Sequence, residues 1–361
     1  MPKRHIRMIS AAVAVAIPLG TAVLGAVAVP SAQAQTLAAS PSAVSAHGQK
    51  PVVGMNLYVN QNYSLADTKA WGARDLAYIA YTLKLKAVAI DWDYNVPYYG
   101  ANVVESSPTR TPTIADLAAL TRIAKTDGLR VEYRALFAVN NSDTRSSSIV
   151  PKNLGAWLNS LLNTERPALG LARRQHVGEF VVGTEMASVQ QSRLWSGFFR
   201  KAARIYKGAL SYASWGGRGT SGGFFDKGGV RLPTHQLGAT AYPPINLSVT
   251  ATVAQLTTAW EKFLTANTSR SVLRRTSIDE MGIPAVDGSY KDPYVWTGLN
   301  GPENPAIQAN WYQAACDAAT AEHLSGLYFW SMPLNVDPAN PYASLVGWEG
   351  RPASIAAIQS C

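Results

Sequence analysis

The chain has 361 residues, with 32 Lys and Arg against 23 Asp and Glu for a net charge of +9. The basic residues are dispersed rather than massed, which excludes the electrostatic footprint of a nucleic-acid-binding protein. Beyond the N-terminus no segment is apolar and long enough to span a bilayer, and the five histidines (His5, His47, His176, His235, His323) lack the spacing of a metal site.

Residues 1–34 have the pattern of a secretory signal peptide. Lys3, Arg4 and Arg7 form a positive start, Ile9 to Val29 is a small apolar run, and Ala32-Gln33-Ala34 offers a small-x-small cleavage motif. A retained membrane anchor is the alternative, disfavoured because Pro18 and Gly20 interrupt the run. Residues 35–50 are dominated by Ala, Ser and Pro, bury too little surface to order themselves, and read as a disordered tether. The expected product is a secreted, extracellular protein whose folded part is residues 51–361. Removal of three of the nine net positive charges with the leader leaves this part only mildly basic.

From residue 51 onward, near-continuous apolar runs alternate with helical segments. The predicted strands are Val52–Tyr58, Ala87–Asp93, Arg130–Phe137, Glu179–Glu185, Ala209–Trp215, Leu237–Tyr242, Thr276–Glu280 and Gly326–Trp330. Such runs suit strands buried on both faces. Between them, Ser64 with Asp67 and Thr113 with Asp116 read as helix-capping pairs, and Gly128 and Gly208 as helix ends. Ser188 is predicted to cap a helix over Val189–Lys207, and Pro305 to open one running to about His323. Eight strands alternating with helices predict an α/β fold of the (β/α)8 TIM-barrel type, as a single domain and a monomer. A doubly wound open sheet is the alternative, but Gly54-Met55-Asn56-Leu57 is not the Gly-rich first turn that it normally carries.

Cys316 falls in a predicted helix and Cys361 is the last residue, so a bridge between them would tie the C-terminal helix to its neighbour; two free thiols are the alternative. In a barrel of this kind the active site lies at the C-terminal ends of the strands. Glu185 closes the fourth strand and Glu280 the seventh, on opposite sides of the mouth. Two carboxyl groups facing each other across a cleft are what glycosidic-bond cleavage requires. One Gly-rich segment, Gly219-Thr220-Ser221-Gly222-Gly223, echoes the surroundings of a serine-protease nucleophile, but neither His176 nor His235 has the context of its base.

Gly183-Thr184-Glu185 and Asp279-Glu280-Met281-Gly282, with Tyr242 after strand six and Trp330 ending strand eight, resemble the large clan of retaining (β/α)8 glycoside hydrolases. Within that clan the chain looks most like family 113, the β-mannanase-like group, and Tyr328-Phe329-Trp330-Ser331 and Asn335-Val336-Asp337-Pro338 resemble that family's last strand and loop. The resemblance spans Pro51 to about Pro338. It implies Glu185 as general acid/base, Glu280 as nucleophile and Tyr242 as hydrogen-bond donor to the nucleophile, with no metal or organic cofactor. Trp330 offers a flat apolar face to a sugar ring, and Trp92 and Trp215 are candidates for outer subsites. Asp91 and Asp93 fall on one side of their strand by alternation, one to bind sugar hydroxyls and the other to pair with a cation. Arg134, a charge inside a strand, needs a carboxylate partner, and Asn56 is a further polar candidate.

Two positions depart from the clan pattern. Thr184 stands where most members place an asparagine, and the clan's usual arginine follows strand two, whereas Arg134 lies in strand three. The expected function is therefore a secreted retaining glycoside hydrolase acting on a polysaccharide or oligosaccharide. A non-catalytic carbohydrate-binding barrel and a transglycosylase using the same two glutamates are the alternatives. The β-mannan preference comes only from the resemblance, since fold does not fix substrate.

Overall fold

The computed structural model describes residues 50–141, 146–216, 237–266, 268–341 and 344–361. The predicted signal peptide, all of the predicted tether except Lys50, the Gly219–Gly223 segment and His235 lie outside the described residues.

Eight parallel strands form the barrel: β1 (Val52–Val59), β2 (Ala87–Val96), β3 (Arg130–Val139), β4 (Glu179–Thr184), β5 (Ala209–Gly216), β6 (Leu237–Ala241), β7 (Thr276–Met281) and β8 (Gly326–Pro333). Their pairing runs β1-β8-β7-β6-β5-β4-β3-β2, and β1 also pairs with β2, which closes the ring. A two-residue strand, Glu105–Ser106, adds antiparallel to Tyr94 and Asn95 at the top of β2. The helices are α1 (Leu65–Ala77), α2 (Ile114–Thr126), α3 (Leu154–Arg174), α4 (Trp195–Ile205), α5 (Val253–Thr265), α6 (Arg270–Leu273), α7 (Pro305–Ala321) and α8 (Pro352–Ser360). No helix among the described residues is long and apolar enough to cross a membrane.

Helix boundaries follow local chemistry in most places. Thr113 and Asp116 form a reciprocal capping box on α2, and Ser64 accepts from the Asp67 N–H at the start of α1. Gly128 sits past α2 at φ +78°, the left-handed position that favours glycine. Two expectations fail. The helix expected from Val189 begins only at Trp195, because Val189 and Gln190 both donate to the Met186 carbonyl in a tight turn, and the Ser188 hydroxyl donates to Ile149 O instead of capping. Gly208 is not a helix cap either. Tyr206 already runs extended after α4, and Gly208 leaves room for the Tyr206 ring, which a Cβ would strike. The bridge between Cys316 on α7 and the C-terminal Cys361 is formed, with Cα atoms 5.3 Å apart, and holds α8 against α7.

Alternation along the strands sorts the core into two chemistries. On β2, Val88, Ile90 and Trp92 face the helices, while Ala87, Ala89 and Asp91 face the lumen. The outer shell is thus mainly hydrocarbon, interrupted by a few buried polar groups such as Glu165 of α3, and the lumen is charged. At the floor, Glu132 and Glu179 stand opposite each other on β3 and β4, and Asp279 of β7 joins them. All three are buried, and both Glu132 oxygens, Glu179 Oε1 and Asp279 Oδ2 have no hydrogen-bond partner among the described residues. Arg130 reaches only Glu179 Oε2, at 3.2 Å. Burial first, and then mutual repulsion, pushes the Glu132 and Asp279 carboxyls well above the usual range.

A raised carboxyl stabilises the fold while protonated, and that contribution fades as pH rises through its folded-state value. Glu132→Gln should therefore match the parent near pH 4, where the glutamate is protonated in both states. By pH 8 the variant should be the more stable of the two. Calorimetric Tm measured against pH checks this, and equal slopes for the two proteins would refute it.

Candidate active site

The chain must bend sharply where β4 ends, and Glu185 takes the bend. It adopts φ +56°, a left-handed conformation costing a non-glycine residue roughly 1–3 kcal/mol. Neighbouring contacts hold it there. Its N–H donates to Ala213 O of β5 at 2.9 Å, and the next N–H, of Met186, donates to the Tyr212 hydroxyl at 3.0 Å. Gly183 is required two residues earlier, because a Cβ would come within 2.7 Å of Met186 Cε and 2.9 Å of the Tyr212 ring. The Glu185 side chain is half-buried, and its Oε1 is sealed from solvent with no hydrogen-bond partner among the described residues. Burial, and next the charge on Glu280, push its carboxyl up to about 8, against weaker downward pulls from the Thr240 hydroxyl and Arg134.

Glu280 reaches the mouth through an irregularity in β7. The register with β6 passes from Ala239↔Ile278 to Thr240↔Glu280, so Asp279 is the extra residue of a bulge. Consecutive side chains normally point to opposite faces, yet Asp279 and Glu280 both turn inward. Asp279 goes down beside Gly238, where a Cβ would collide with its carboxyl, and Glu280 goes up. The Asp279 carbonyl accepts from Asn56 Nδ2 at 3.1 Å and Arg134 Nη1 at 3.0 Å, which fixes the bulge.

The Tyr242 hydroxyl donates to Glu280 Oε1 at 2.6 Å, and Arg134 Nη1 lies 3.1 Å from Oε2. Burial drives the Glu280 carboxyl upward, whereas Arg134 and the Tyr242 hydrogen bond draw it down. Among the described residues Glu185 has no comparable pair of donors. Of the two facing acids, Glu280 is therefore the one that ionises first. Arg134 itself is fully buried on β3, bidentate to the two Asp91 oxygens at 3.0 and 3.1 Å, and its Cζ lies 5.2 Å from the Trp330 ring centre. The half-exposed Trp330 ring also meets Tyr58 at 5.4 Å.

Against this geometry, the sequence model of Glycoside Hydrolase Family 113 matches residues 70–344. The chain belongs to glycoside hydrolase family 113. As a family 113 member it is a glycoside hydrolase, and its fold is shared with solved structures of the same family. One GH113 β-1,4-mannanase, 16% identical, covers 87% of this chain and 100% of its own at TM-score 0.69. The GH113 β-mannanase AaManA from Alicyclobacillus acidocaldarius, determined with ManMIm, is 18% identical over 88% of this chain and 98% of its own, at TM-score 0.68. GH5_18 from Streptomyces cattleya, determined with GlcNAc, is more distant: 14% identical, covering 87% of this chain and 80% of its own, at TM-score 0.52. No curated protein sequence matches this chain.

In this family 113 barrel, Glu185, Glu280, Tyr242, Arg134 and Trp330 come together at one end. Trp215 is half-exposed at the top of β5, 6.3 Å from the Tyr294 ring. Three predicted substrate contacts lie elsewhere. Trp92 is fully buried outside the lumen, edge-on to Tyr133, Phe180 and Tyr94, because it alternates with Asp91 and Asp93 and so faces the helices. Asn56 is fully buried, donating to Asp279 O and Phe329 O as a staple between strands. Asp91 is closed off beneath Arg134, and Asp93 pairs with Arg110 at the rim, so each aspartate holds a cation rather than one of them being spare for sugar.

Arg134 lies on β3, as counted from the sequence. Thr184 donates to Ala135 O at 3.1 Å and is part of the barrel wall. Sequence reasoning missed Trp296, half-exposed in the loop after β7 and edge-on to Tyr242 at 5.9 Å. Its only signal is the aromatic pair Tyr294 and Trp296 in a polar loop.

Proposed function

We propose that this protein is an exported, retaining, β-mannanase-like hydrolase in which Glu280 is the nucleophile and Glu185 the general acid/base. The observation that carries the reading is the unequal treatment of the two acids. Glu280 receives Tyr242 and Arg134, whereas an enclosed Glu185 oxygen, Oε1, has no hydrogen-bond partner among the described residues. Glu280 attacks the anomeric carbon as Glu185 gives its proton to the departing oxygen, leaving a glycosyl ester on Glu280. Glu185, now a carboxylate, takes a proton from water, which attacks the same carbon and frees Glu280. A sugar hydroxyl in place of water would give transfer from the same intermediate. The names of the family 113 neighbours support β-mannan as the substrate, and the Cys316–Cys361 bridge suits an oxidising compartment outside the cytosol.

Proton NMR of the first product from β-1,4-manno-oligosaccharides tests the mechanism. A β-configured product is expected, and an α product would overturn retention. Activity also requires Glu185 protonated and Glu280 ionised, so kcat/KM should be bell-shaped in pH. The alkaline limb should fall about tenfold per pH unit above the Glu185 value near 8. Glu185→Gln should remove that limb and lower turnover of oligosaccharides by roughly 10²–10⁴-fold. An aryl glycoside whose leaving group needs no proton should lose far less; equal losses on both substrates would rule Glu185 out as the acid.

A further inference from the structure

At the end of the barrel opposite the mouth, the chain returns from each helix to the next strand, and the returns into β2, β3, β4 and β5 all carry cations. Lys84 and Lys86 precede β2, Lys125 lies in the last turn of α2, Arg173 and Arg174 close α3, and Lys207 follows α4. All six are exposed. They are dispersed along the sequence and gathered by the fold, because every such return falls at the same end. We propose that this end is a docking face for an anionic lipid bilayer, on which the barrel stands with its mouth turned outward.

Hydrogen bonds between neighbouring returns make the cations one patch. The Tyr81 hydroxyl donates to Asp127 Oδ1 at 3.2 Å, across the ends of the first two helices. Arg130 N–H donates to Lys86 O at 2.9 Å, joining the starts of β2 and β3. Lys125 Nζ donates to His176 O at 2.9 Å, and Tyr206, beside Lys207, donates through its hydroxyl to Val177 O at 2.6 Å. Among the described residues no ion pair engages any of the six. Helix dipoles account for Lys125 and Lys207, whose ammonium groups donate to helix-end carbonyls. Lys84, Lys86, Arg173 and Arg174 have no such acceptor among the described residues, and their charge is left for something outside the chain.

The N-terminus, an exposed ring and the spread of charge select a lipid surface. The chain enters β1 from this end at the exposed Lys50, and the preceding residues include the apolar run Ile9 to Val29. While that run is held in a membrane, this is the nearer end of the barrel. Tyr81 stands among the cations at 64% exposure, the most exposed large hydrophobic side chain among the described residues. Tyrosine rings seat at headgroup level. The cations span four successive returns rather than one groove, so they meet a plane of mobile headgroups better than a single polymer strand. The mouth loops mix charges, with Glu105, Asp287 and Glu303 beside Lys152, Arg193 and Lys291. An anionic plane therefore draws the uniformly basic end toward it.

Cosedimentation of the full chain with vesicles tests the face, independently of any glycosidase activity. Vesicles with about 30% phosphatidylglycerol in phosphatidylcholine, at about 0.05 M salt, should bind at least tenfold more tightly than pure phosphatidylcholine, and about 0.5 M salt should abolish the difference. The neutral vesicles also control for insertion of the N-terminal apolar run. The variant Lys84→Glu/Lys86→Glu/Arg173→Glu should lose at least tenfold of the affinity for anionic vesicles. Lys152→Glu/Arg193→Glu/Lys291→Glu changes the net charge equally at the mouth and should lose less than threefold. All six substituted positions are exposed, so both variants should melt with the parent. If charge reversal lowers Tm, alanine at Lys84, Lys86 and Arg173 replaces it, with at least a threefold loss expected.

Equal losses in the two variants would show that net charge alone is responsible, and would overturn the face. Equal affinity for neutral and anionic vesicles would overturn it too. Tighter binding of duplex DNA or polygalacturonate than of the anionic vesicles would overturn the lipid as its partner.

Discussion

Glu280→Gln is expected to lower kcat on manno-oligosaccharides by between about 10⁴ and 10⁶, the range for removing a nucleophile, while the protein melts near the parent. The amide is isosteric and its oxygen still accepts from Tyr242, so the Tyr242 contact at 2.6 Å survives. What is lost is the negative charge opposite Arg134 and the ability to form an ester. A smaller variant, Glu280→Gly, leaves space on the same face of the sugar. With azide supplied, the anion should attack there as Glu185 protonates the leaving oxygen, giving an α-glycosyl azide from a β-linked aryl glycoside. Residual sugar release above a tenth of the parent rate in Glu280→Gln would sink the assignment of Glu280.

Arg134→Met carries the second large effect, on stability. Arg134 is wholly buried, bidentate to Asp91 and paired with Glu280. Deleting one partner of a buried ion pair typically costs about 3–5 kcal/mol, because the charge left behind has lost its solvation and its partner together. Burial already pushes Asp91 up to about 7 despite Arg134, and without the arginine both carboxyls would move higher. Acids raised in the folded state stabilise it below their unfolded values and lose that contribution as pH rises. The deficit of Arg134→Met should therefore be smallest near pH 4 and grow toward pH 8, as read by denaturant titration. Adding Asp91→Asn should restore part of the stability at pH 8. Activity should not return, since Glu280 would still lack the cation that keeps it ionised. Lysine is no substitute at 134, because a single ammonium cannot span the two Asp91 oxygens. A pH-independent deficit would show that the unpaired carboxyls are not its cause.

The architecture is readable because most barrel strands are buried on both faces and are written as largely apolar or small-residue runs bounded by punctuation. Strand ends were displaced by one to three residues, as on β2, which continues from the predicted Asp93 to Val96. The helix expected from Val189 was too long for a different reason. Val189 and Gln190 are buried by the turn that follows Glu185, and burial in a turn mimics burial on a helix face. Trp92 is no subsite residue for a simple reason: the alternation that puts Asp91 and Asp93 on one side of β2 puts the residue between them on the other.

The sequence by itself determined the eight-strand repeat, the strand-terminal positions of Glu185 and Glu280, and the presence of aromatic and tyrosyl partners nearby. Those depend on local periodicity, which a chain carries residue by residue. Tertiary structure decided which acid is paired and which is enclosed. It decided the bulge at Asp279 that turns two successive acids inward, and the left-handed turn that aims Glu185. It also brought Arg110, Asp93 and Tyr58 from β1, β2 and the segment after β2 into one cluster beside Trp330. These features arise from contacts between strands far apart in the chain, where burial and charge are set by neighbours that no local pattern names.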